Sequence, residues 1–559
     1  MRIYSGNHRK LELFVQAEDA DSGFLSVRDV ETGKVLFQSA IPAGPFRFLE
    51  IALETEKTYK LLFQDVLISQ MYLSGNDDIM ETGVTYLMVN GESMEQLRYE
   101  DILDTPIREQ YHFTPFVNWC NDPNGLCWYK GYYHLFYQSN PNEQKWGNMY
   151  WGHAVSKDLM QWKYMPYALK PQRELFQSNK LVGGAFSGCA VPQKDELQIF
   201  FTRDIEKIGD PESIRQSQWT AVSKDGITFS DEEELIPALS LKGADVNFRD
   251  PKVFFRDEKW YMLLASNYGG KGTILLYSSL DQKKWNFIRP LLQLDDKNVP
   301  SLECPDFFRV DGCDVLMAAV MGIRTKYGVY QPVQYYIGQW KNEQFTIRKT
   351  GVCDFGSNFY AVQSFEHLGR RILIGWICDW AGEHETIRHG AYGSFTLPRI
   401  VAVRDGVLYQ KPADEVYRFA GDTLLEACHC DKAKVLIQQN NYYACIQFEG
   451  ETSFEILAAR DGDSYLKLRG DGRKLEILSD RNKDTQARYI AETQRIEKVE
   501  LFMDRRVLEV YINNGEQVGT RLFIKHSKDG VFSAAFEEGQ KVGHIVVKQM
   551  MPIWRENRG

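Results

Sequence analysis

Short apolar runs separated by polar turns fill most of the chain, and in its middle part their spacing is regular. A turn-like pattern, Ser-x-Asp followed by an aromatic residue, occurs three times, each time between two apolar runs. Its three copies are Ser156, Asp158 and Trp162; Ser223, Asp225 and Phe229; and Ser279, Asp281 and Trp285. Ser and Asp side chains bond the nearby backbone in tight turns, so the pattern predicts β-hairpins with an aromatic residue behind each turn.

A second series of apolar strands begins at related positions in the same region. These strands are SGCAV from residue 187, DPKVFF from residue 250, CPDFF from residue 304 and NFYAV from residue 358. Both series recur about every 54 to 67 residues, and convincing amphipathic helices are nearly absent between them. A unit of several strands repeated in this way predicts a β-propeller, and residues 108–405 have room for five blades.

Strand-like segments with frequent turns also occupy both flanks of the repeats. A chain of 559 residues exceeds what one hydrophobic core usually serves, so several domains are expected. We therefore predict an all-β protein: a small N-terminal β-sandwich-like domain (1–107), a five-bladed β-propeller (108–405) and a C-terminal β-sandwich (406–559). The accessory β domains are candidates for homo-oligomer contacts, and the N-terminal one also for carbohydrate binding or for narrowing the propeller funnel.

Composition and charge restrict the kind of partner. Apolar residues make up 43% of the chain and charged residues 25%, as in globular proteins. The formal net charge is -10 and no dense Lys/Arg run occurs, which argues against nucleic acid or a membrane surface and favours a small neutral molecule. The N-terminal segment lacks the apolar stretch of a signal peptide and no long apolar window follows, so a cytoplasmic location is expected.

Ten cysteines are scattered along the chain without a CxxC pair, and free thiols are therefore expected. Cys428 and Cys430 flank His429, but no second pair of ligands accompanies them. We predict neither a metal site nor a cofactor.

Three acidic residues occupy turn-like sequence in different repeats: Asp122 in WCNDPNG, Asp250 in NFRDPKVFF and Glu303 in SLECPDFF. The innermost strands of propeller blades line a central channel, so these residues are expected to face one funnel. Glycoside hydrolysis needs one carboxylate that attacks or activates water and one carboxyl that protonates the leaving oxygen. Taken alone, each motif is more readily explained as an ordinary turn in which the side chain bonds its own backbone.

Taken in order, the motifs resemble glycoside hydrolase family 32, which includes invertases, inulinases, levanases and related fructosyltransferases. The resemblance begins at HFTPFVNWCNDPNG (residues 112–125), continues through WGHAVSKDLMQW, FRDP and ECPDFF, and runs to about residue 412. LFMDRRVLEVYINNGEQV (residues 501–518) is similar to the family's sandwich signature. The resemblance implies a five-bladed propeller followed by a β-sandwich, and retention of configuration at the anomeric carbon.

The resemblance also implies roles for individual residues. Asp122 matches the nucleophile, Glu303 the general acid/base, and Asp250 the aspartate that holds sugar hydroxyls and stabilises the oxocarbenium-like transition state. The positions that match the fructose-binding subsite are Asn121, Gln138, Trp146, Phe186, Ser187 and Arg249. Trp146 and Phe186 are expected to form apolar walls. Arg249 is expected to keep Asp250 ionised by neutralising part of the carboxylate cluster.

The implied activity is that of a retaining β-fructosidase acting on the terminal β-D-fructofuranosyl bond of sucrose or short fructo-oligosaccharides. A fructosyltransferase or a difructose anhydride hydrolase would use the same carboxylates, and a non-catalytic fructan-binding protein would use the same fold. An inverting five-bladed enzyme for arabinose or xylose polymers is a further alternative, against which the N-D-P-N-G and E-C-P contexts argue. Trp376 and Trp380 fit either a pocket wall or the core of a blade.

Overall fold

The computed structural model describes residues 1–18, 22–91, 93–382, 390–527, 529–537 and 542–555. Most of these residues form β-strands, which confirms the prediction of an all-β fold. The short helices are α1 (Ile79–Thr82), α2 (Tyr99–Leu103), α3 (Asp414–Tyr417) and a 3₁₀ helix (Arg173–Phe176). Within the ranges just given, no helix is both long enough and apolar enough to cross a membrane.

The N-terminal part of the chain forms two antiparallel sheets that share one core. Its strands are β1 (Arg2–Tyr4), β2 (Lys10–Ala17), β3 (Ser22–Asp29), β4 (Val35–Pro42), β5 (Arg47–Ala52), β6 (Thr58–Gln64), β7 (Val66–Ser74), β8 (Thr85–Asn90) and β9 (Ser93–Gln96). One sheet has the order β1-β6-β3-β4 and the other β5-β2-β7-β8-β9. Apolar residues alternate along the strands, for example Leu11, Leu13 and Val15 on β2 and Leu25 and Val27 on β3, and they fill the core.

Five sheets follow, and each is built mainly from four strands in succession. The first two comprise β10 (Asn118–Tyr129), β11 (Tyr132–Asn140), β12 (Tyr150–Ser156) and β13 (Trp162–Tyr164), then β14 (Leu181–Pro192), β15 (Leu197–Lys207), β16 (Asp210–Ser223) and β17 (Ser230–Ile236). The third and fourth comprise β18 (Ala244–Arg256), β19 (Lys259–Tyr268), β20 (Lys271–Ser279) and β21 (Asn286–Gln293), then β22 (Leu302–Val310), β23 (Cys313–Val320), β24 (Val333–Lys341) and β25 (Gln344–Val352). The strands after these are β26 (Tyr360–His367), β27 (Arg370–Ile377), β28 (Ala391–Tyr392), β29 (Ser394–Phe395), β30 (Arg399–Arg404) and β31 (Val407–Pro412).

The first strand of each sheet contacts the first strand of the next, and β26 contacts β10, so the five sheets close into a ring. This is the predicted five-bladed propeller, in which β10, β14, β18, β22 and β26 are the innermost strands. Strand β28 adds to the first blade beside β10, and β29 pairs with β27 in the fifth.

The repeated Ser-x-Asp pattern forms the turn between the third and fourth strands of the first three blades. In the first of them, Asp158 Oδ1 accepts hydrogen bonds from the backbone N–H groups of Met160 (3.0 Å) and Gln161 (2.8 Å). Asp225 and Asp281 accept equivalent bonds in the second and third blades. The turn chemistry that the sequence predicts is therefore present at these hairpins.

The predicted end of the propeller at residue 405 falls inside the hairpin of β30 and β31. Strand β31 pairs with β30, and this pairing extends the fifth sheet to Pro412. Alternation of apolar and polar residues marks a hairpin but does not show to which sheet the hairpin belongs. The strand pairing therefore places the end of the fifth blade a few residues later than predicted.

The C-terminal part forms two six-stranded sheets around one apolar core. Their orders are β32-β43-β34-β39-β40-β41 and β33-β42-β35-β36-β37-β38. The strands are β32 (Ala420–Cys430), β33 (Lys432–Ile437), β34 (Asn441–Phe448), β35 (Phe454–Asp461), β36 (Ser464–Gly470), β37 (Lys474–Ser479), β38 (Tyr489–Glu492), β39 (Lys498–Asp504), β40 (Val507–Ile512), β41 (Gln517–Leu522), β42 (Gly530–Phe536) and β43 (Val542–Met550).

A buried charge network joins this sandwich to the propeller. Asp504 accepts hydrogen bonds from the backbone N–H groups of residues 110–112 and from Nδ1 of His112 at 2.9 Å. Nε2 of His112 lies 3.0 Å from Glu509, which also pairs with Arg399 at 2.7 Å. Burial by itself lowers the pKa of His112, but the bonds to Asp504 and Glu509 outweigh it and raise this pKa to about 9. The protonated imidazole thus bridges two carboxylates of the sandwich.

The pH dependence of stability tests this network. Because the pKa of His112 rises from 6.5 to about 9 on folding, its stabilising contribution is complete below pH 6.5 and is lost as the pH rises through about 9. We expect the melting temperature to fall over this window, and to fall less in the His112→Gln variant, which has no titrating imidazole. Equal pH dependence of melting in the two proteins would contradict the bridging role.

Candidate active site

The innermost strands of three blades bring the three predicted carboxylates together. Asp122 lies on β10, Asp250 on β18 and Glu303 on β22. Cys304, the neighbour of Glu303, contacts both aspartates. Its Sγ lies 3.5 Å from Asp122 Oδ2 and 3.7 Å from Asp250 Oδ2. Its backbone N–H also donates to Asp250 Oδ2 at 2.9 Å. Residues that are distant in sequence thus share one pocket at the centre of the ring.

Each innermost strand is irregular where it reaches this pocket. The pairing with the second strand of the blade shifts register between Cys120 and Pro123, Phe186 and Gly188, Arg249 and Lys252, Glu303 and Asp306, and Tyr360 and Gln363. Such bulges bend a strand and redirect its side chains. Asp250 and Cys304 have left-handed backbone conformations, with φ of 61° and 49°, which non-glycine residues adopt at a cost in energy. Regular pairing between the first and second strands of each blade is therefore interrupted where polar groups point into the channel.

Neutral hydrogen-bond donors surround Asp122. Ser187 Oγ donates to its Oδ2 at 2.5 Å, and Asn121 Nδ2 donates to its Oδ1 at 3.0 Å. Gln138 links these two donors, because its Oε1 accepts from Asn121 at 3.3 Å and its Nε2 donates to Ser187 at 3.1 Å. Burial raises the pKa of Asp122, the bond from Ser187 opposes this, and the negative charge of Glu303 adds to the rise.

Charged and phenolic groups instead surround Glu303. Arg249 donates to its Oε1 from Nη2 at 2.6 Å and from Nε at 3.1 Å, and Tyr360 donates to its Oε2 at 2.5 Å. Burial raises the pKa of Asp250 to about 7, although the adjacent Arg249 opposes this rise.

Tyr360 is a site residue that the sequence analysis does not predict. A signal for it exists, because it lies in NFYAV, the last member of the inner-strand series.

Arg249 is itself held in place by residues that the sequence did not single out. Its Nη1 donates to Asn247 Oδ1 at 2.8 Å and to Gln216 Oε1 at 3.4 Å. Gln216 in turn donates from Nε2 to Asp204 Oδ1 at 3.1 Å. Burial raises the pKa of Asp204 to about 7. Gln216 and Asp204 lie in ordinary strand sequence, so no turn motif marks them.

Aromatic residues line the rim of the pocket. Trp146 packs edge-on against Phe186, with ring centroids 5.9 Å apart, and remains 39% exposed. Trp380 packs edge-on against Tyr360 at 4.9 Å and is 41% exposed, whereas Trp376 is only 6% exposed. The sequence allowed either a pocket wall or a blade core for both Trp376 and Trp380. The structure places Trp380 at the rim and Trp376 in the blade core.

Metal chemistry has no candidate site in the parts of the chain that the structure describes. There, no group of three or more His, Cys, Asp or Glu side chains is arranged to hold an ion. Cys428 is exposed on β32, and the ring of His429 pairs with Glu449 at 3.2 Å.

Two carboxylates in one pocket with different partners are the arrangement that divides acid and base roles. Asp122 is held by uncharged donors, and Glu303 by a guanidinium and a phenol. The pocket thus has the groups that an acid/base-assisted displacement at a glycosidic carbon requires.

The sequence is similar to curated proteins over most of its length. A sucrose-6-phosphate hydrolase of Zymomonas mobilis is 30% identical over 469 residues, which cover 77% of this chain and 89% of that protein. A levanase of Bacillus subtilis is 30% identical over 507 residues, covering 81% of this chain and 71% of the levanase.

A solved structure of a glycoside hydrolase family 32 protein from Bifidobacterium adolescentis superposes with a TM-score of 0.93 at 28% identity, covering 99% of this chain and all of that one. The model of the glycosyl hydrolases family 32 N-terminal domain matches residues 112–412. The predicted family and the prediction of a glycoside hydrolase of the β-fructosidase type are confirmed. Because this family model matches more than half of the chain, the protein belongs to glycoside hydrolase family 32.

Proposed function

We propose that this β-fructosidase hydrolyses the terminal β-D-fructofuranosyl bond of sucrose or short fructo-oligosaccharides with retention of configuration. The observation that carries the proposal is the pair Asp122 and Glu303, two carboxyl groups that share one pocket but have different partners. A double displacement needs two such groups, one to bond the anomeric carbon and one to move protons.

In the first step, Asp122 attacks the anomeric carbon of the fructosyl unit and forms a C–O bond to it. The bond to the leaving oxygen breaks as Glu303 gives that oxygen its proton. In the second step, Glu303 takes a proton from water, whose oxygen displaces the Asp122 carboxylate and releases fructose. The donors on Asp122, Ser187 and Asn121, hold the carboxylate oxygens in place for the attack.

Asp250 supplies charge but no proton transfer in this scheme. Its left-handed backbone and the bond from the Cys304 N–H fix the carboxylate in the same pocket. From there it accepts hydrogen bonds from sugar hydroxyls and stabilises positive charge that develops on the fructosyl ring. Arg249 favours the ionised form that this role requires.

The first test removes the two catalytic carboxyl groups. We expect Asp122→Asn to lower kcat on sucrose by about 10⁴-fold or more, and Glu303→Gln by about 10² to 10⁴-fold. With a fructoside whose leaving group needs no protonation, Glu303→Gln recovers much of its rate and Asp122→Asn does not. Asp295→Asn, at a side chain that is 91% exposed, is the isosteric control. Unchanged turnover in Asp122→Asn would refute its assignment as the nucleophile.

Retention is tested by trapping the fructosyl-enzyme with methanol. Attack on the intermediate from the face that the leaving group left must give methyl β-D-fructofuranoside as the first product. NMR spectra taken in the first turnovers distinguish this product from its α anomer. An initial excess of the α anomer would rule out the double displacement.

The pH profile tests the role of Arg249. The pKa of Asp250 is already about 7, and removal of the guanidinium in Arg249→Gln raises it further. Because the ionised form is the active one, activity is lost as the pH falls through this pKa, so the acidic limb of kcat/KM moves to higher pH. Arg249→Lys should move it less. Arg256 lies on the same strand as Arg249 and pairs with Asp314 of the next blade, so Arg256→Gln should leave the limb unchanged, and an equal shift in that control would refute the prediction.

A further inference from the structure

A cavity of about 380 Å³ lies where the N-terminal sheets meet the first two blades. We call it the joint cavity; among its lining residues are Gln16, Phe46, Asn140, Asn142, Asn148 and Trp146. Its size is that of small-molecule sites in proteins. Both the N-terminal part of the chain and the propeller contribute walls, so a ligand here would contact both.

The N-terminal wall of the joint cavity is fixed against the propeller. Phe14 packs edge-on against Tyr150 and Tyr167, with ring centroids 5.5 and 5.1 Å apart. Ser69 Oγ donates to Asn142 Oδ1 at 2.8 Å across the same boundary. Buried aromatic contacts of this kind hold two parts of a protein in one arrangement, so the wall is preformed for a ligand.

The turn that carries Phe46 into the cavity is also held in place. Gln16 Nε2, on the neighbouring strand β2, donates to the Gly44 carbonyl at 2.8 Å. Arg47 Nη2 donates to the Phe176 carbonyl at 3.4 Å, which ties the start of β5 to the propeller. Phe46 therefore lines the cavity from a turn that is held on both sides.

The lining suits an uncharged, hydroxyl-rich ligand. Its charged side chains include Glu143 and Lys145, which pair with each other at 3.1 Å and so leave little net charge. The side-chain oxygen of Asn148 is buried and has no hydrogen-bond partner among the described residues. Amide side chains beside the rings of Phe46 and Trp146 combine hydrogen bonding with apolar contact, as sugar binding requires.

Trp146 connects the joint cavity to the carboxylates. It lines the cavity, and its ring contacts Phe186, the neighbour of the Ser187 that donates to Asp122. The cavity is therefore linked to the carboxylates through the contact between Trp146 and Phe186. A leaving group that extends from the carboxylates along these rings would reach the cavity.

From this arrangement we propose that the joint cavity binds a sugar unit of the leaving group beyond the first, so that the N-terminal domain favours trisaccharides and longer fructo-oligosaccharides over sucrose. The inference rests on the proposed function. It gives the N-terminal domain a direct part in substrate choice.

The test compares Phe46→Ala with the wild-type enzyme on sucrose, 1-kestose and nystose. We expect the wild-type KM to be lower for nystose than for sucrose, and Phe46→Ala to raise the nystose KM about fivefold to tenfold. The KM for sucrose and kcat for all three sugars should stay unchanged. Phe24→Ala is the matched control, because Phe24 is 38% exposed in the other N-terminal sheet and does not line the cavity.

Equal effects of Phe46→Ala on sucrose and nystose, or no effect on either, would overturn the inference. So would a preference for sucrose 6-phosphate that Phe46→Ala abolishes, because the ligand would then be charged. If the wild-type protein hydrolyses none of the sugars, the proposed function fails separately. Calorimetric binding of nystose to Asp122→Asn, with and without Phe46→Ala, needs no turnover, and an unchanged Kd would overturn the cavity inference in that case too.

Discussion

Three acidic side chains, one buried and two half-buried, lie close together and are the constraint around which the centre of the propeller is arranged. Burial and mutual repulsion both disfavour their charged forms, as the raised pKa values of Asp122 and Asp250 show. Three blades each contribute a group that bonds the carboxylates directly: the hydroxyl of Ser187 from the second blade, the guanidinium of Arg249 from the third and the hydroxyl of Tyr360 from the fifth. Ring closure is what brings these groups within reach, since no single blade carries more than part of the set.

The position of this cluster depends on parts of the protein outside the ring. Strand β10, which carries Asp122, follows directly on the segment whose backbone N–H groups bond Asp504 of the sandwich. Phe113, in the same segment, stacks on Phe395 of the fifth blade with ring centroids 5.4 Å apart. The sandwich thus fixes the start of the first blade where the last blade closes onto it. This provides a physical reason for the two domains to form one unit.

Much of this architecture is readable from the sequence because it depends on local chemistry. Ser-x-Asp turns and inner-strand motifs have residue types that their conformations require, and they predicted the hairpins and the shared funnel. Gln216 was missed because its contact with Arg249 crosses from one blade to the next, and Asp204 because it reaches the site only through Gln216, its neighbour on the adjacent strand. For Tyr360 the inner-strand series marked the strand, but the contact with Glu303 crosses blades and is not encoded by that spacing. Periodicity likewise could not separate Trp376, in the core, from Trp380, at the rim, nor assign the last hairpin before Pro412 to its sheet.

In the proposed mechanism, the groups for bond cleavage are separate from those that contact the rest of the substrate. The carboxylates lie on bulged inner strands and are tied by short hydrogen bonds, so a change there disturbs charge balance and backbone together. Trp146 and Trp380 are partly exposed side chains at the rim, where substitution alters shape without leaving a buried charge unpaired. A domain packed beside the rim is therefore placed to change which leaving groups fit without changing the proposed cleavage chemistry. The N-terminal sheets, braced against the first blade next to Trp146, have this position.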